Sequence, residues 1–319
     1  MNPPLLSPGL WGILATPFHG ERLAVDLASL RAEVDLYLGV PAQGLVALGV
    51  FGEGAALDSA EQAAVVATVV EQAPGLPLTV GLSARTTAVA VEQARTATAA
   101  AGPALAGLMV QANTPDPATL ASHLRAIHDE VGAGIVLQDY PVASGVRMTD
   151  AQVLETVEAC PFVVAVKSEA PPTALAIARL SAHTDIPVFG GLGGVGLIDE
   201  LAAGAAGVMT GFSHPEGLRA ALDAWHQGGY DAARAAFAPW LPLVNYEAQP
   251  GIGLALRKEI LARRGVIAEA AVRPPSPAAP EELLRLAPHH LAAVQSLLGT
   301  ASRRLLADIS LHHATRELS

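Results

Sequence analysis

Short apolar runs recur along the chain and alternate with segments in which apolar residues repeat at helical spacing. Eight runs have the length and composition of strands: WGILATPF (11–18), GLVALGVFGE (44–53), LPLTVGLS (76–83), ALAGLMVQAN (104–113), GIVLQDYP (134–141), FVVAVKSEA (162–170), PVFGGLGG (187–194) and AAGVMTGF (205–212). Alternating strands and helices form parallel βα units, so the pattern predicts an α/β protein with a (β/α)8 (TIM) barrel. The alternative is an open doubly wound sheet. A nucleotide-binding version of that sheet would carry GxGxxG after its first strand, where this chain has LATPFHG.

The segments between these runs predict amphipathic helices over 27–38, 59–72, 86–101, 117–131, 150–159, 172–183 and 197–204. Two of them have a capping signal. Asp26 precedes the first helix, and Asp58 or Ser59 precedes the second, with Glu61 or Gln62 placed to return the bond.

A helical tail follows the eighth unit. Helices are predicted over 216–227, 231–246, 253–264 and 282–298, with a proline-rich link over 272–282. We therefore expect a barrel over 1–214 and a C-terminal helical extension over 215–319 that packs on it. The basic residues of the third tail helix are expected to form a solvated face: Arg257, Lys258, Arg263 and Arg264.

Composition narrows the classes of function. The net charge is −11 and the pI is about 5.3, which argues against nucleic-acid binding. No apolar run reaches the roughly 18 residues that a membrane helix needs, and MNPPLLSPGL does not resemble a secretory signal. A single cysteine, Cys160, fits a reducing cytoplasm, and we expect it to be a packing residue. The histidine pairs 289–290 and 312–313 are expected at the surface, since no spacing typical of metal ligands occurs.

One of the only two lysines, Lys167, ends the sixth apolar run. The active site of such a barrel lies at the C-terminal ends of its strands. If Val163 and Ala165 face the interior, alternation places Lys167 there too. A partly desolvated ammonium loses its proton more readily, and the neutral amine can attack a carbonyl carbon. The alternative is a structural lysine that extends to solvent or pairs with Glu169 or Glu53.

Two glycine-rich segments are candidate anion sites. In LGVFGEGAALDSAE (48–61), the turn amides of Val50, Phe51 and Gly52 can face a carboxylate, such as that of a 2-oxo acid. The alternative is a turn that needs glycine only for its conformation. In PVFGGLGGVG (187–196), four glycine amides could bind a phosphate or a second carboxylate, or the glycines could serve close packing: Gly190, Gly191, Gly193 and Gly194.

Four motifs, taken in order, carry a resemblance to a known family: ILATPF, GVFGE at a G-x-x-G-E position, LQDYPVASG at a Y-N-x-P-x-x-T-G position, and VVAVKSEA. Over 11–212 the chain resembles the dihydrodipicolinate synthase / N-acetylneuraminate lyase family of Schiff-base aldolases. The resemblance implies that Lys167 forms the Schiff base with a small-molecule 2-oxo acid. It also implies that no metal or organic cofactor is needed, because the protonated imine is the electron sink. A homo-oligomer, dimer or tetramer, is expected.

The chain also departs from the family pattern. Val50 and Phe51 stand where synthases carry two threonines, and Ala143 stands where they carry an arginine for a second carboxylate. These departures disfavour dihydrodipicolinate synthesis, and they suggest a small or apolar distal group on the substrate. Gln138 replaces the family tyrosine, and Tyr140, on the same side of the strand, is the first candidate for proton transfer. Asp139 is the second.

The function expected from the sequence is that of a class I lyase acting on a 2-oxo acid, with pyruvate-yielding cleavage of a 4-hydroxy-2-oxo acid placed first. Dehydration shares the first half of that path. Synthase-type condensation, a non-catalytic 2-oxo-acid-binding homologue and a phosphate-dependent barrel enzyme are the alternatives. Glu53 is expected to brace its turn. The expected substrate-binding residues are Gly49, Val50, Phe51, Gln138, Ser144, Glu169 and Gly191.

Overall fold

The computed structural model describes residues 2–298, and its eight parallel strands form a closed barrel. The strands are β1 (Gly9–Ile13), β2 (Gly44–Ala47), β3 (Leu78–Leu82), β4 (Leu105–Gln111), β5 (Ile135–Asp139), β6 (Val163–Ser168), β7 (Val188–Gly190) and β8 (Gly207–Thr210). Each strand pairs with the next, and β8 returns to β1. The predicted barrel is confirmed, and the open sheet is excluded. Every predicted run overlaps a barrel strand.

The first predicted run was placed too far along the chain. β1 ends at Ile13, and a small antiparallel hairpin (Phe18–His19 with Ala24–Val25) follows, which the pattern did not predict. Leu14 and Ala15 are buried although they lie beyond the ladder. The apolar run therefore indicates burial and not strand pairing. Pro17 has no backbone N–H, so it cannot donate a hydrogen bond to a neighbouring strand.

Eight helices accompany the strands: α1 (Leu27–Leu38), α2 (Ser59–Gln72), α3 (Thr87–Ala101), α4 (Pro117–Val131), α5 (Pro141–Ser144), α6 (Asp150–Ala159), α7 (Thr173–Ser181) and α8 (Leu197–Ala202). Only the short α5 was not predicted. Asp26 caps α1 by accepting from two backbone amides, and Asp58 forms a reciprocal capping box with Glu61 at the start of α2. Both predicted caps are confirmed.

Apolar side chains form separate layers inside and outside the barrel wall. The interior layer is built mainly from large side chains that project inward from the strands: Trp11, Ile13, Val46, Met109, Val136, Phe189 and Met209. A larger core lies between the first strands and α1–α4, and it continues around to α6 and α7. Since side chains fill the barrel interior, the open C-terminal ends of the strands are left to build a site.

The C-terminal extension consists of α9 (Pro215–Phe237), α10 (Leu241–Glu247), α11 (Gly253–Arg263), α12 (Glu281–Leu284) and α13 (Ala287–Gln295). The break predicted between 227 and 231 is a kink inside α9, where Gly229 has a φ of 68°. The single helix predicted over 282–298 is two helices. The extension shares a core with β1 and β8 through Leu10, Val208 and Trp240. The boundary at residue 214 stays a prediction.

The predicted solvated basic face on α11 is wrong. Lys258 is 0 % exposed, Arg264 is 3 % exposed and Arg257 is 12 % exposed, whereas Arg263 is 38 % exposed. Lys258 and Arg264 pair with carboxylates that lie on other elements of the fold, and the nearest carboxylate oxygen to Arg257 is 3.5 Å from its Nε. Local charge pattern cannot reveal such partners.

Three smaller expectations concern isolated residues and the membrane. Cys160 is buried, as expected of a packing residue. His289 is exposed and His290 stacks on Tyr246, while the pair at 312–313 lies outside the described residues. Within residues 2–298, no helix has both the length and the apolarity that a membrane span requires.

Candidate active site

Lys167 faces the barrel interior because of an irregularity in the pairing of β5 with β6. Ile135 pairs with Val163, but Val136 pairs with Ala165, so one residue of β6 is skipped. Val163 belongs to the outer core, whereas Ala165 packs with the interior layer. The expectation that Val163 faces inward is therefore wrong. Alternation from Ala165 still turns Lys167 inward.

The Lys167 ammonium lies beside a carboxylate that several donors orient. Lys167 is 4 % exposed, and its Nζ is 3.0 Å from Oε2 of Glu169. The same oxygen accepts from Nε2 of Gln138 at 2.6 Å, and Oε1 accepts from the amide of Leu192 at 3.2 Å. Gln138, in the place of the family tyrosine, thus orients Glu169, and Glu169 is fixed against the amine.

The glycine-rich loop after β7 makes room for that carboxylate. A Cβ on Gly191 would overlap Oε1 of Glu169. The amide of Gly193 donates to Oγ1 of Thr210 at 2.8 Å, and the amide of Gly194 donates to the carbonyl of Gly191 at 2.9 Å. Two of the four amides considered as phosphate ligands therefore already donate hydrogen bonds within the protein. The glycine-rich sequence of the loop can be explained without a bound phosphate.

The turn after β2 presents backbone amides at the mouth of the barrel. Its shape is held by bonds from the amide of Glu53 to the carbonyl of Val50 and from Oγ1 of Thr16 to the carbonyl of Gly52. In the part of the chain that the structure describes, the amides of Val50 and Phe51 have no hydrogen-bond acceptor. Gly49 opens this turn. The arrangement suits an anion, as the sequence suggested.

A buried ion pair supports this turn from behind. Nζ of Lys258, on α11, donates to Oε2 of Glu53 and to the carbonyl of Ala271. Oε1 of Glu53 accepts from the amide of Arg273 at 2.8 Å. Burial raises the pKa of Glu53 and lowers the pKa of Lys258, because both charges have left water. Glu53 thus braces the turn and pairs with Lys258, not with Lys167.

The two candidates for proton transfer, Asp139 and Tyr140, are placed differently at the end of β5. Gln138 faces the interior, so alternation places Asp139 on the opposite face, opposite Ser168 in the register. Burial, together with the charges of Asp150 and Glu169, raises the pKa of Asp139 to about 6. Asp139 is buried on the helix side of the wall, away from the face that carries Lys167.

Tyr140 follows β5 and is half-buried. Burial raises the pKa of its phenol and the charge of Glu169 adds to this, while Arg257 lowers it. The charges of Glu169 and Arg257 therefore both act on its hydroxyl. Ser144 is placed differently from the expectation, since its Oγ bonds to the amide and carbonyl of Val146 and closes the turn after α5.

One residue of the mouth was missed by the sequence analysis. Arg257 reaches in from α11, and its Cζ is 5.2 Å from the centroid of the Phe51 ring. A Cβ on Gly193 would overlap its Nη2. In the sequence Arg257 resembles a surface arginine beside Lys258, and no local signal distinguishes it.

A buried lysine lies at the end of the sixth barrel strand, 3.0 Å from an oriented carboxylate, which is an arrangement that Schiff-base chemistry requires. The chain belongs to the dihydrodipicolinate synthetase family, whose sequence profile matches residues 7–290. Members of this family are class I aldolases and dehydratases, so the chain is an enzyme of the class I lyase type.

Curated relatives and a solved structure agree with this assignment. The chain is 29% identical over 281 residues to L-2-keto-3-deoxyarabonate dehydratase of Azospirillum brasilense, covering 84% of this chain and 88% of the relative. It is 31% identical over 281 residues to 4-hydroxy-tetrahydrodipicolinate synthase of Kineococcus radiotolerans, covering 86% and 89%. Dihydrodipicolinate synthase of Rhodopseudomonas palustris superposes with a TM-score of 0.82 at 29% identity, covering 92% of this chain and 99% of that one.

Proposed function

We propose that this protein dehydrates a 4-hydroxy-2-oxo acid through a Schiff base on Lys167. The observation that carries the proposal is the Glu169 carboxylate, 3.0 Å from Nζ. In an imine on Nζ, the substrate C3 is two bonds from that nitrogen, so Glu169 is within reach of the C3 proton. The similarity to a dehydratase of a 2-keto-3-deoxy acid supports the same reaction type.

The first half of the reaction uses Glu169 as a proton carrier. Glu169 accepts the ammonium proton of Lys167, and the neutral amine adds to the C2 carbonyl. A proton passes from the nitrogen to the alkoxide oxygen, which becomes a hydroxyl. Glu169 then returns its proton to that hydroxyl, which leaves as water while the iminium forms. The amides of Val50 and Phe51 hold the C1 carboxylate during these steps.

The second half removes water from the substrate chain. Glu169 takes the C3 proton, and the C–H electron pair flows into the iminium to form an enamine. The enamine expels the C4 hydroxyl, which takes one proton and leaves as water. Hydrolysis of the conjugated imine releases a 3-ene-2-oxo acid and restores Lys167, and the C3 proton held by Glu169 replaces the proton that the C4 hydroxyl took from its donor.

Tyr140 is the proposed proton donor to the C4 hydroxyl. Because burial and the Glu169 charge raise its pKa, the phenol stays protonated, so it holds a proton to donate and is not available as a base. Cleavage would require a base to remove the C4 hydroxyl proton. The proposal therefore reverses the order expected from the sequence and makes pyruvate-yielding cleavage the second candidate. The charge of Arg257 favours cleavage, because it lowers the pKa of Tyr140 and so helps the phenol to act as a base.

We predict that five-carbon 4-hydroxy-2-oxo acids, offered with and without a second carboxylate, lose water without releasing pyruvate. Glu169→Gln should lower kcat by about 10²- to 10⁴-fold, because the amide keeps the volume but cannot accept the C3 proton. Substrate loss, unsaturated product and pyruvate are measured together. Glu200→Gln is the matched control, since Glu200 is also buried beside the glycine-rich loop but bonds to Thr173. Pyruvate formed in step with substrate loss would establish cleavage instead.

We predict that Tyr140→Phe lowers kcat for dehydration by about 10²-fold and leaves the Schiff base with pyruvate detectable by borohydride reduction. The phenyl ring keeps the packing and loses only the donor. Tyr230→Phe, which removes an exposed hydroxyl bonded to Asp199, is the control. An unchanged kcat in Tyr140→Phe would assign the proton donor to another group.

A further inference from the structure

Arg257 differs from Arg264 and Arg273, two other arginines of the extension with little exposure, in how its guanidinium is paired. Arg273 makes two bonds to Glu61, at 2.6 and 2.7 Å, and Arg264 bonds to Glu216 at 2.7 Å. Among the described residues, Arg257 Nε is buried and forms no hydrogen bond, and no hydrogen bond joins its Nη groups to the protein. A guanidinium with five donors and only 12 % exposure normally has partners.

The carboxylate nearest to Arg257 does not satisfy it. Oε2 of Glu247 is 3.5 Å from Nε, beyond the usual range for an N–H···O bond. Glu247 already accepts from the amide and the hydroxyl of Ser213. Burial raises the pKa of Glu247 to about 7, so near neutral pH it carries only part of a negative charge. The positive charge of Arg257 is incompletely compensated.

The guanidinium lies close to the reacting groups. A Cβ on Gly191 would overlap the Glu169 carboxylate, and a Cβ on Gly193 would overlap Nη2 of Arg257. Two residues of backbone span at most about 7 Å, so the two charged groups lie along one short stretch of loop. The charges of Tyr140 and Glu169 also act on Arg257. Lys167 neutralises Glu169, whereas the charge of Arg257 is only partly compensated by Glu247.

We propose that Arg257 is the specificity-determining residue of this site and binds a second carboxylate at the far end of the substrate. The substrate class is then the 4-hydroxy-2-oxo dicarboxylic acids, in place of the small or apolar distal group expected from the sequence. The C1 carboxylate lies on the Val50 and Phe51 amides, C2 is bound to Lys167, and the chain extends towards Gly193. The inference rests on the proposed function, because it needs the Schiff base to place the chain.

The test compares two 2-oxo acids of equal chain length that differ only at the far end: 2-oxoglutarate and 2-oxopentanoate. Each is reduced onto the full-length protein with borohydride, and adduct on Lys167 is measured against acid concentration. The wild type should half-saturate at about 10- to 100-fold lower 2-oxoglutarate than 2-oxopentanoate, as a charge-assisted bond predicts. Arg257→Met should bring this ratio close to one, and Arg257→Lys should give an intermediate value.

Because the ratio is taken within each variant, a fraction of unfolded protein does not alter it. Arg263→Met, on the exposed side of the same helix, should keep the wild-type ratio. Equal half-saturation in the wild type, or a preference that survives Arg257→Met, would overturn the inference while the Schiff-base function stands. Absence of an adduct with both acids would overturn the proposed function, and the inference with it.

Discussion

Lys167→Ala is expected to abolish the borohydride-trapped adduct with pyruvate and to lower turnover of 4-hydroxy-2-oxo acids by at least about 10⁴-fold. The substitution removes the amine that we propose forms the imine, and the imine is the electron sink for every later step of the proposed reaction. The measurement is peptide mapping of the reduced protein together with steady-state kinetics.

The chain makes this mapping simple. Its other lysine, Lys258, is 0 % exposed and paired with Glu53, so a mass increase on a lysine peptide identifies the reactive residue. Lys167→Arg is the matched control because it keeps a cation beside Glu169 but cannot form a Schiff base. An adduct that persists in Lys167→Ala, or on Lys258 in the wild type, would contradict the assignment.

Lys258→Met is expected to lower the free energy of unfolding by about 3–5 kcal/mol, the largest stability effect that we predict. The substitution leaves the Glu53 carboxylate buried with the Arg273 amide but without its cation. Since Glu53 holds the turn that carries the Val50 and Phe51 amides, the loss should also raise the concentration of pyruvate needed for half-maximal trapping. Denaturant unfolding and trapping measure the two effects.

A double-mutant cycle separates the interaction energy of the Lys258–Glu53 pair from the effect of each single substitution. Lys258→Met combined with Glu53→Gln should be less destabilised than the sum of the two single variants, because no unpaired charge remains. Arg263→Met breaks an exposed pair with Glu259 on the same helix and should cost about 0.5 kcal/mol or less. Equal costs for Lys258→Met and Arg263→Met would show that the buried pair does not support the turn.

The alternation of apolar runs with helical segments predicted the barrel. Each strand and helix spans only a short stretch of chain, and its periodicity is written locally. Lys167 could be predicted for the same reason, since it ends a buried run and barrel sites lie where strands end. The bulge that skips a residue of β6 could not be predicted, because it depends on how β5 and β6 pair.

The local sequence pattern could not predict the partners of the charged residues. Gln138 read as a missing tyrosine, yet it orients Glu169, and the glycines after β7 read as an anion loop, yet Gly191 leaves space for Glu169. Each of these contacts joins residues from different βα units. The sequence names the residue types but not their distances.

By itself, then, the sequence determined the order of the elements, the strand that carries Lys167 and the position of the turn after β2. Only the tertiary structure decided that α11 turns Lys258 and Arg257 inward, one to support that turn and the other to enter the mouth. The physical reason is that a buried charge is stable only beside a carboxylate or ligand, and here that partner comes from another part of the fold. The spacing of residues along a helix does not reveal such a partner.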